Sequence, residues 1–274
     1  MECVINISEG KNVPALSELA NAAGDGLLDV HSDSYHNRSV FTLYGSKVYE
    51  CAISLTERAF DLLDIAIHEG VHPRMGVVDV VPFVPIAGAT IADAMRARQR
   101  YASEISATFS VPVFLYGPER TLPQIRREAF KELLPDFGPP EPHPRFGSLC
   151  VGVRDLLVAY NLYLVKPDLG TAKKIANMVR GQYFRVLGLK VGDEVQISAN
   201  LIDPLNHGIY EFYRAVSKHV EVSRGELVGL APLQIVQEVP KELWTVLDLS
   251  LEQTIEFRTR SKDLGPPDRR AQKN

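Results

Sequence analysis

The stretch Gly76-Val77-Val78-Asp79-Val80-Val81-Pro82-Phe83-Val84-Pro85-Ile86 decides the fold. It is almost wholly apolar and alternates poorly. A strand with one wet face alternates with period two, whereas a strand covered on both faces does not have to. Residues 76–86 therefore predict a buried strand with a layer on each side. Working back from it, Val48, Cys51, Ala52, Leu55, Ala59, Leu62, Leu63 and Ala66 recur at three- and four-residue steps, so 47–67 predicts one amphipathic helix. Residues 27–30 and 39–45 read as strands. Residues 13–23 read as a helix, with Pro14 in its first turn and Gly24 just past its end. Residues 2–7 read as a short buried strand. The order is β-α-β-β-α-β, the ferredoxin-like unit.

Working forward, a helix over 91–109 and a strand over 111–116 extend that unit, and helix signals run over 122–134. Residues 135–147 then hold five prolines and two glycines, which interrupt both helix and strand and mark a linker. Beyond it the order repeats. A strand over 156–165 and a helix over 171–180 precede strands over 183–191 and 195–202, which flank the hairpin-type pair Gly192-Asp193. A helix over 210–217 and a strand over 227–230 complete the second unit. The fold class is α+β: two ferredoxin-like subdomains, 1–147 and 148–260, each a sheet flanked by helices. A last helix is expected over 247–257, and 261–274 is a polar, proline-bearing tail expected to be disordered.

Composition excludes several function classes. The 274 residues are 45% hydrophobic and 23% charged, ordinary for a globular protein. No apolar run is long enough for a membrane span, and the amino terminus lacks a basic leader with an apolar core, so a cytoplasmic location is expected. The net charge is -4, with 34 acidic against 30 basic residues, which argues against a nucleic-acid partner. Cys3, Cys51 and Cys150 are odd in number and far apart, matching neither a disulfide framework nor a paired zinc site.

The densest polar cluster is His68-Glu69-Gly70-Val71-His72-Pro73-Arg74-Met75-Gly76, between a helix and the buried strand. His68 and His72 are four apart, but Gly70 and Pro73 oppose a helix through both, so no metal is expected. A histidine that titrates near neutrality suits proton transfer. His68 reads as a helix carboxy-terminal histidine favoured by the dipole. His72, in a turn beside an arginine, is the candidate acid/base. Asn37 and Arg38 stand just before a strand and are candidate ligand groups, as is Arg74. No phosphate loop, dinucleotide fingerprint or serine nucleophile elbow is present.

These segments together resemble the formiminotransferase family. The resemblance runs through Glu2-Cys3-Val4-Ile5-Asn6-Ile7-Ser8-Glu9-Gly10, His36-Asn37-Arg38-Ser39-Val40 and Gly70-Val71-His72-Pro73-Arg74-Met75-Gly76 with Asp79. It continues through Val111 to Gly117, Pro135 to Pro139, Gln196 to Leu201 and Glu226 to Leu233. It implies a ligand cleft between two ferredoxin-like subdomains, and transfer of a formimino group from N-formiminoglutamate to tetrahydrofolate, with tetrahydrofolate as co-substrate. It places the catalytic histidine at His72. It places the folate-contacting segment at Gly138, Pro139, Pro140, Glu141, Pro142, His143, Pro144, Arg145, Phe146 and Gly147; within it Arg145 is a candidate partner for the folate glutamate, since a guanidinium pairs well with a carboxylate. It also implies a homodimer. Two positions depart from the family pattern: His31 and Val71 stand where the family usually has acidic residues. These departures keep open two other readings, formyl transfer from 5-formyltetrahydrofolate to glutamate and reduced-folate binding without turnover.

Overall fold

The computed structural model describes residues 1–71 and 73–261. The expected tail lies outside the described residues beyond Ser261. Among those described, the chain forms two compact units, the first Met1–Asp155 and the second beginning at Leu156. The sequence reading set the subdomain boundary at 147/148.

The first unit opens with β1 (Glu2–Ile7), α1 (Val13–Ala23), β2 (Leu27–Asp33), β3 (Arg38–Tyr44), α2 (Val48–Leu62) and β4 (Val78–Val84). Asn12 caps α1 by accepting the Ala15 amide, Pro14 sits in the first turn, and Gly24 ends the helix at a φ of 59°. The strands lie in the order β2-β3-β1-β4, all antiparallel, as the ferredoxin-like order requires. Then follow α3 (Ile91–Phe109), β5 (Val113–Tyr116), α4 (Leu122–Glu128) and β6 (Leu149–Val153). β6 inserts between β4 and β5, parallel to both, so the sheet has six strands. Every residue of β4 is buried. One face of the sheet shares a core with α1, α2 and α3, and Ile125 of α4 packs with Val80, Phe114 and Cys150 in a separate cluster. The doubly covered strand expected from residues 76–86 is thus present.

The second unit contains β7 (Val158–Leu164), α5 (Leu169–Val179), β8 (Phe184–Val191), β9 (Glu194–Leu201), α6 (Ile209–Ser217) and β10 (Val222–Val228). Its sheet order is β10-β7-β9-β8, again ferredoxin-like. Gly192, at a φ of 58°, and Asp193 close the β8–β9 hairpin, whose last pair is Val191 with Glu194. A core of Tyr160, Leu162, Ile197, Ala199 and Phe212 lies between this sheet and its helices.

Several boundaries correct the sequence reading. The helix over 47–67 ends at Leu62, because Leu63 turns extended and Asp64 caps a separate 3-10 turn, Ile65–Ile67. The helix over 122–134 ends at Glu128, whose carbonyl collects the amides of Lys131, Glu132 and Leu133. Phe130 there takes a φ of 61°. The proline-rich stretch 135–147 leads into β6, a strand the sequence reading missed. In place of a helix over 247–257 the chain forms a 3-10 turn, Leu251–Gln253, and then α8 (Ile255–Ser261); α7 (Leu233–Gln237) was also unforeseen. Among the described residues no helix is long and apolar enough to cross a membrane, the three cysteines are free and buried, and no three metal-ligating side chains cluster.

Candidate functional site

Four segments of the first unit are laced together at the carboxy-terminal side of α2. Asn37 is the knot. Its φ is 49°, in the left-handed region, which asparagine tolerates better than most residues. Its Oδ1 accepts the Gly10 amide at 2.9 Å, and its Nδ2 donates to the Glu69 carbonyl at 2.7 Å. Its own carbonyl accepts from His68 Nε2 at 2.9 Å. That bond fixes the His68 proton on Nε2, so the buried Nδ1 carries a lone pair with no partner. Burial holds the His68 pKa below its usual value. His68 therefore stands beyond α2, at the carboxy-terminal end of the 3-10 turn Ile65–Ile67, with its ring in contact with the Asn37 backbone. Two glycines permit these approaches: a Cβ at Gly10 would stand 2.3 Å from the Asp33 carbonyl, and one at Gly70 2.7 Å from the His36 carbonyl.

The turn leading to β4 is held from both sides. Arg74 donates to the carbonyls of Gly70 and His68 at 2.9 and 2.8 Å. Met75 donates its amide to Asp79 Oδ1 at 2.7 Å, and Arg126 on α4 donates to Asp79 Oδ2 at 2.6 Å. The β1–β4 register explains how Asp79 is aimed. Asn6 faces Val80 and Ile7 faces Val78, so Asp79 is the extra residue of a β-bulge. It is 2% exposed. Burial raises its pKa, against the pull of Arg126 and the Met75 amide. Arg38, half-buried at the start of β3, also acts on Asp79, and its own pKa is lowered, first by burial.

The 143–148 segment closes on the same turn. His143 and Gly147 exchange backbone hydrogen bonds at 2.9 and 2.8 Å, Phe146 accepts the Val77 amide, and Ser148 donates its amide to the Met75 carbonyl. Phe146 stacks on Phe60 at 4.2 Å and on His143 at 4.3 Å, a run of three nearly parallel rings. His143 Nδ1 accepts the amides of Arg145 and Phe146. Arg145 donates from Nε and Nη2 to the carbonyls of Leu63 and Asp61, where α2 ends, and so satisfies groups a helix leaves unpaired.

The structure thus brings Asn37, Arg38, Arg74, His143, Arg145, Phe146 and Gly147 into one region. Gly138, Pro139, Pro140, Glu141, Pro142 and Pro144 are exposed. A Cβ at Gly138 would meet Ser106 Oγ and the Val111 carbonyl, both at 2.6 Å. His72 lies outside the described residues. Of the two departures from the family pattern, Val71 is exposed and His31 sits on β2 opposite Val40. Asp79 and Arg126 were not among the sequence candidates. A lone carboxylate in an otherwise apolar strand was the available signal for Asp79. Arg126, 47 residues away, carried none.

Residues 1–154 match the family model described as the formiminotransferase domain, N-terminal subdomain. The chain is 32% identical to a glutamate formimidoyltransferase of Streptococcus pyogenes serotype M1, covering 93% of this chain and 96% of that one. It is 32% identical to a glutamate formimidoyltransferase of Thermoplasma acidophilum, covering 88% of this chain and 91% of the relative. It is 35% identical to a formimidoyltransferase-cyclodeaminase of Gallus gallus over 85% of this chain, which spans only 50% of that relative.

Proposed function

The chain belongs to the formiminotransferase family, and on that premise we propose that it transfers a formimino group from N-formiminoglutamate to tetrahydrofolate, giving 5-formiminotetrahydrofolate and glutamate. The observation that carries the proposal is the likeness, along 93% of the chain, to a protein named glutamate formimidoyltransferase.

In this reading the pteridine N5 attacks the amidine carbon, forms the new C–N bond and sheds its proton. The bond from that carbon to the glutamate nitrogen then breaks, and that nitrogen takes a proton. His72 makes both transfers, a contribution of about 10²–10⁴ in rate. Holding both substrates together supplies the rest through positioning. The segment 138–147 takes the folate, with Asn37, Arg38 and Arg74 as further ligand groups. Two features support this. The Phe60–Phe146–His143 stack gives the segment a flat aromatic support, and the backbone bonds from Phe146 and Ser148 tie it to the turn after His72. The proposal includes a homodimer, which sedimentation equilibrium checks.

The test is turnover of N-formiminoglutamate with tetrahydrofolate, followed by the 5-formimino product, in the wild type and His72→Ala. The variant is expected to lose turnover by two to four orders of magnitude and to keep folate binding by calorimetry. Unchanged turnover in His72→Ala defeats the acid/base assignment. Folate binding without turnover in the wild type favours the binding-only reading. Activity with 5-formyltetrahydrofolate and glutamate alone favours the formyl-transfer reading.

A further inference from the structure

The segment 138–147, which takes the folate in the proposed reading, is exposed from Gly138 to Pro142 and again at Pro144. Its far end is tightly held. His143 Nδ1 accepts the amides of Arg145 and Phe146 at 3.2 and 3.0 Å, which closes the turn on itself. Phe146 lies on Phe60 of α2. Arg145 reaches the end of the same helix by three bonds. Its Nε donates to the Leu63 carbonyl at 3.3 Å and its Nη2 to the Asp61 carbonyl at 2.8 Å. Its own carbonyl accepts the Ile65 amide at 2.8 Å. α2 has no basic residue in its last turn. The last carbonyls of a helix have no partner inside it, and the negative end of its dipole favours a cation there. Arg145 supplies both the hydrogen bonds and the charge, from 82 residues beyond Leu63.

From these three bonds we infer that Arg145 is a positioning residue for the folate: it fixes the end of the 138–147 segment to the end of α2 and does not pair with the folate glutamate. The inference rests on the proposed folate role of that segment. A guanidinium meets a carboxylate best through two parallel N–H groups. In Arg145 one such pair, Nε with Nη2, is committed to two backbone carbonyls. Turning that fork to a carboxylate would strip the Asp61 and Leu63 carbonyls and release the segment from α2. The anchor acts on the exposed part through the chain itself. Four of the ten residues from 138 to 147 are proline, whose ring fixes φ. With so few conformations open to the segment, holding Arg145 and Phe146 sets the direction of the exposed residues before them.

The test is steady-state kinetics of the full chain, wild type and Arg145→Gln, with N-formiminoglutamate as donor and two acceptors. One is tetrahydrofolate; the other is tetrahydropteroate, which keeps the pterin and the aminobenzoyl group and lacks the glutamate. A positioning residue serves both acceptors alike, so the KM is expected to rise about 3- to 10-fold for each. Hydrogen exchange reads the anchor directly. The amides of His143 and Gly147, which bond to each other's carbonyls, are expected to exchange about 10-fold faster in the variant, while those of α3 keep their rates. A rise confined to tetrahydrofolate makes Arg145 the partner of the folate glutamate and overturns the inference, as does an unchanged KM for both acceptors. If the wild type uses neither acceptor, the transfer reading fails and exchange decides alone. Faster exchange at His143 and Gly147 then upholds the anchor, and unchanged exchange sinks it.

Discussion

Replacing Asn37 by alanine breaks the knot that joins residues 10, 68 and 69. Three costs follow. The Gly10 amide becomes a buried donor without an acceptor, worth about 1–3 kcal/mol. The bond to the Glu69 carbonyl is lost, worth about 1 kcal/mol. Alanine is also forced into the left-handed region at a φ of 49°, at about 1–2 kcal/mol. Together these give about 3–6 kcal/mol, a large share of a typical domain's stability. Asn37→Gly makes the same two hydrogen-bond losses without the strain, so it should be about 1 kcal/mol more stable than Asn37→Ala. The probe matters. The only tryptophan, Trp244, is in the second unit, so its fluorescence does not report the first. Urea unfolding followed by far-ultraviolet circular dichroism, with hydrogen exchange at the Gly10 amide, reads the relevant region. A loss below about 1 kcal/mol for Asn37→Ala refutes the reasoning. Equal stability of the alanine and glycine variants refutes its backbone part.

Two further outcomes are expected. Gly147→Ala puts a Cβ 2.2 Å from the Met75 carbonyl and 2.7 Å from Gly76 Cα, at a φ of 72°, with backbone on every side. Its melting temperature should fall by at least 5 °C, about the effect of 1–2 kcal/mol in a domain of this size, and an unchanged melt contradicts the close packing. Glu2 gives a pH dependence. Burial, 4% exposed, lifts its carboxyl to about 7 against the pull of Arg154. Because the folded pKa is raised, the folded chain binds the extra proton. That contribution is complete below the ordinary carboxyl range near 4.5 and is lost as pH rises through about 7. Denaturation at a series of pH values should show Glu2→Gln gaining on the wild type as pH rises from 5 to 8, and parallel profiles would contradict it.

The sequence was most legible where chemistry is local. The bounds of α1 and α3 were read to the residue because each start carries its own signal. Pro14 marks α1, and α3 begins at a capping box in which Thr90 and Asp93 satisfy each other's amides. Legibility failed where tertiary contacts decide. Ala66 continues the apolar period of α2, but the helix ends at Leu62, where Arg145 from 82 residues away takes the Leu63 carbonyl. β6 is a five-residue apolar run with Gly152 in it, too short to separate from a loop until β4 and β5 flank it. The site divides the same way. Asn37, Arg38 and Arg74 were legible because polar groups beside turns stand out. His143 and Phe146 were reached through the resemblance alone, and Arg126 meets Asp79 only because α4 is folded back over the sheet.

The bulge at Asp79 explains how arginines from separate segments come to act on one carboxylate. In regular pairing with β1, the side chain at position 79 would follow the alternation of β4. The extra residue breaks that alternation and frees the carboxylate to meet both the Met75 amide and Arg126. One acid then orders a turn and an arginine together, while Arg38 and Arg74 reach the same place from other segments. A neutral side chain at 79 would lose the ion pair with Arg126, so the buried aspartate is what holds α4 against this turn. The net charge of the chain carries no information about this. The charge that matters to an anionic substrate is set by which segments the β-bulge and the fold of α4 bring within reach of one another.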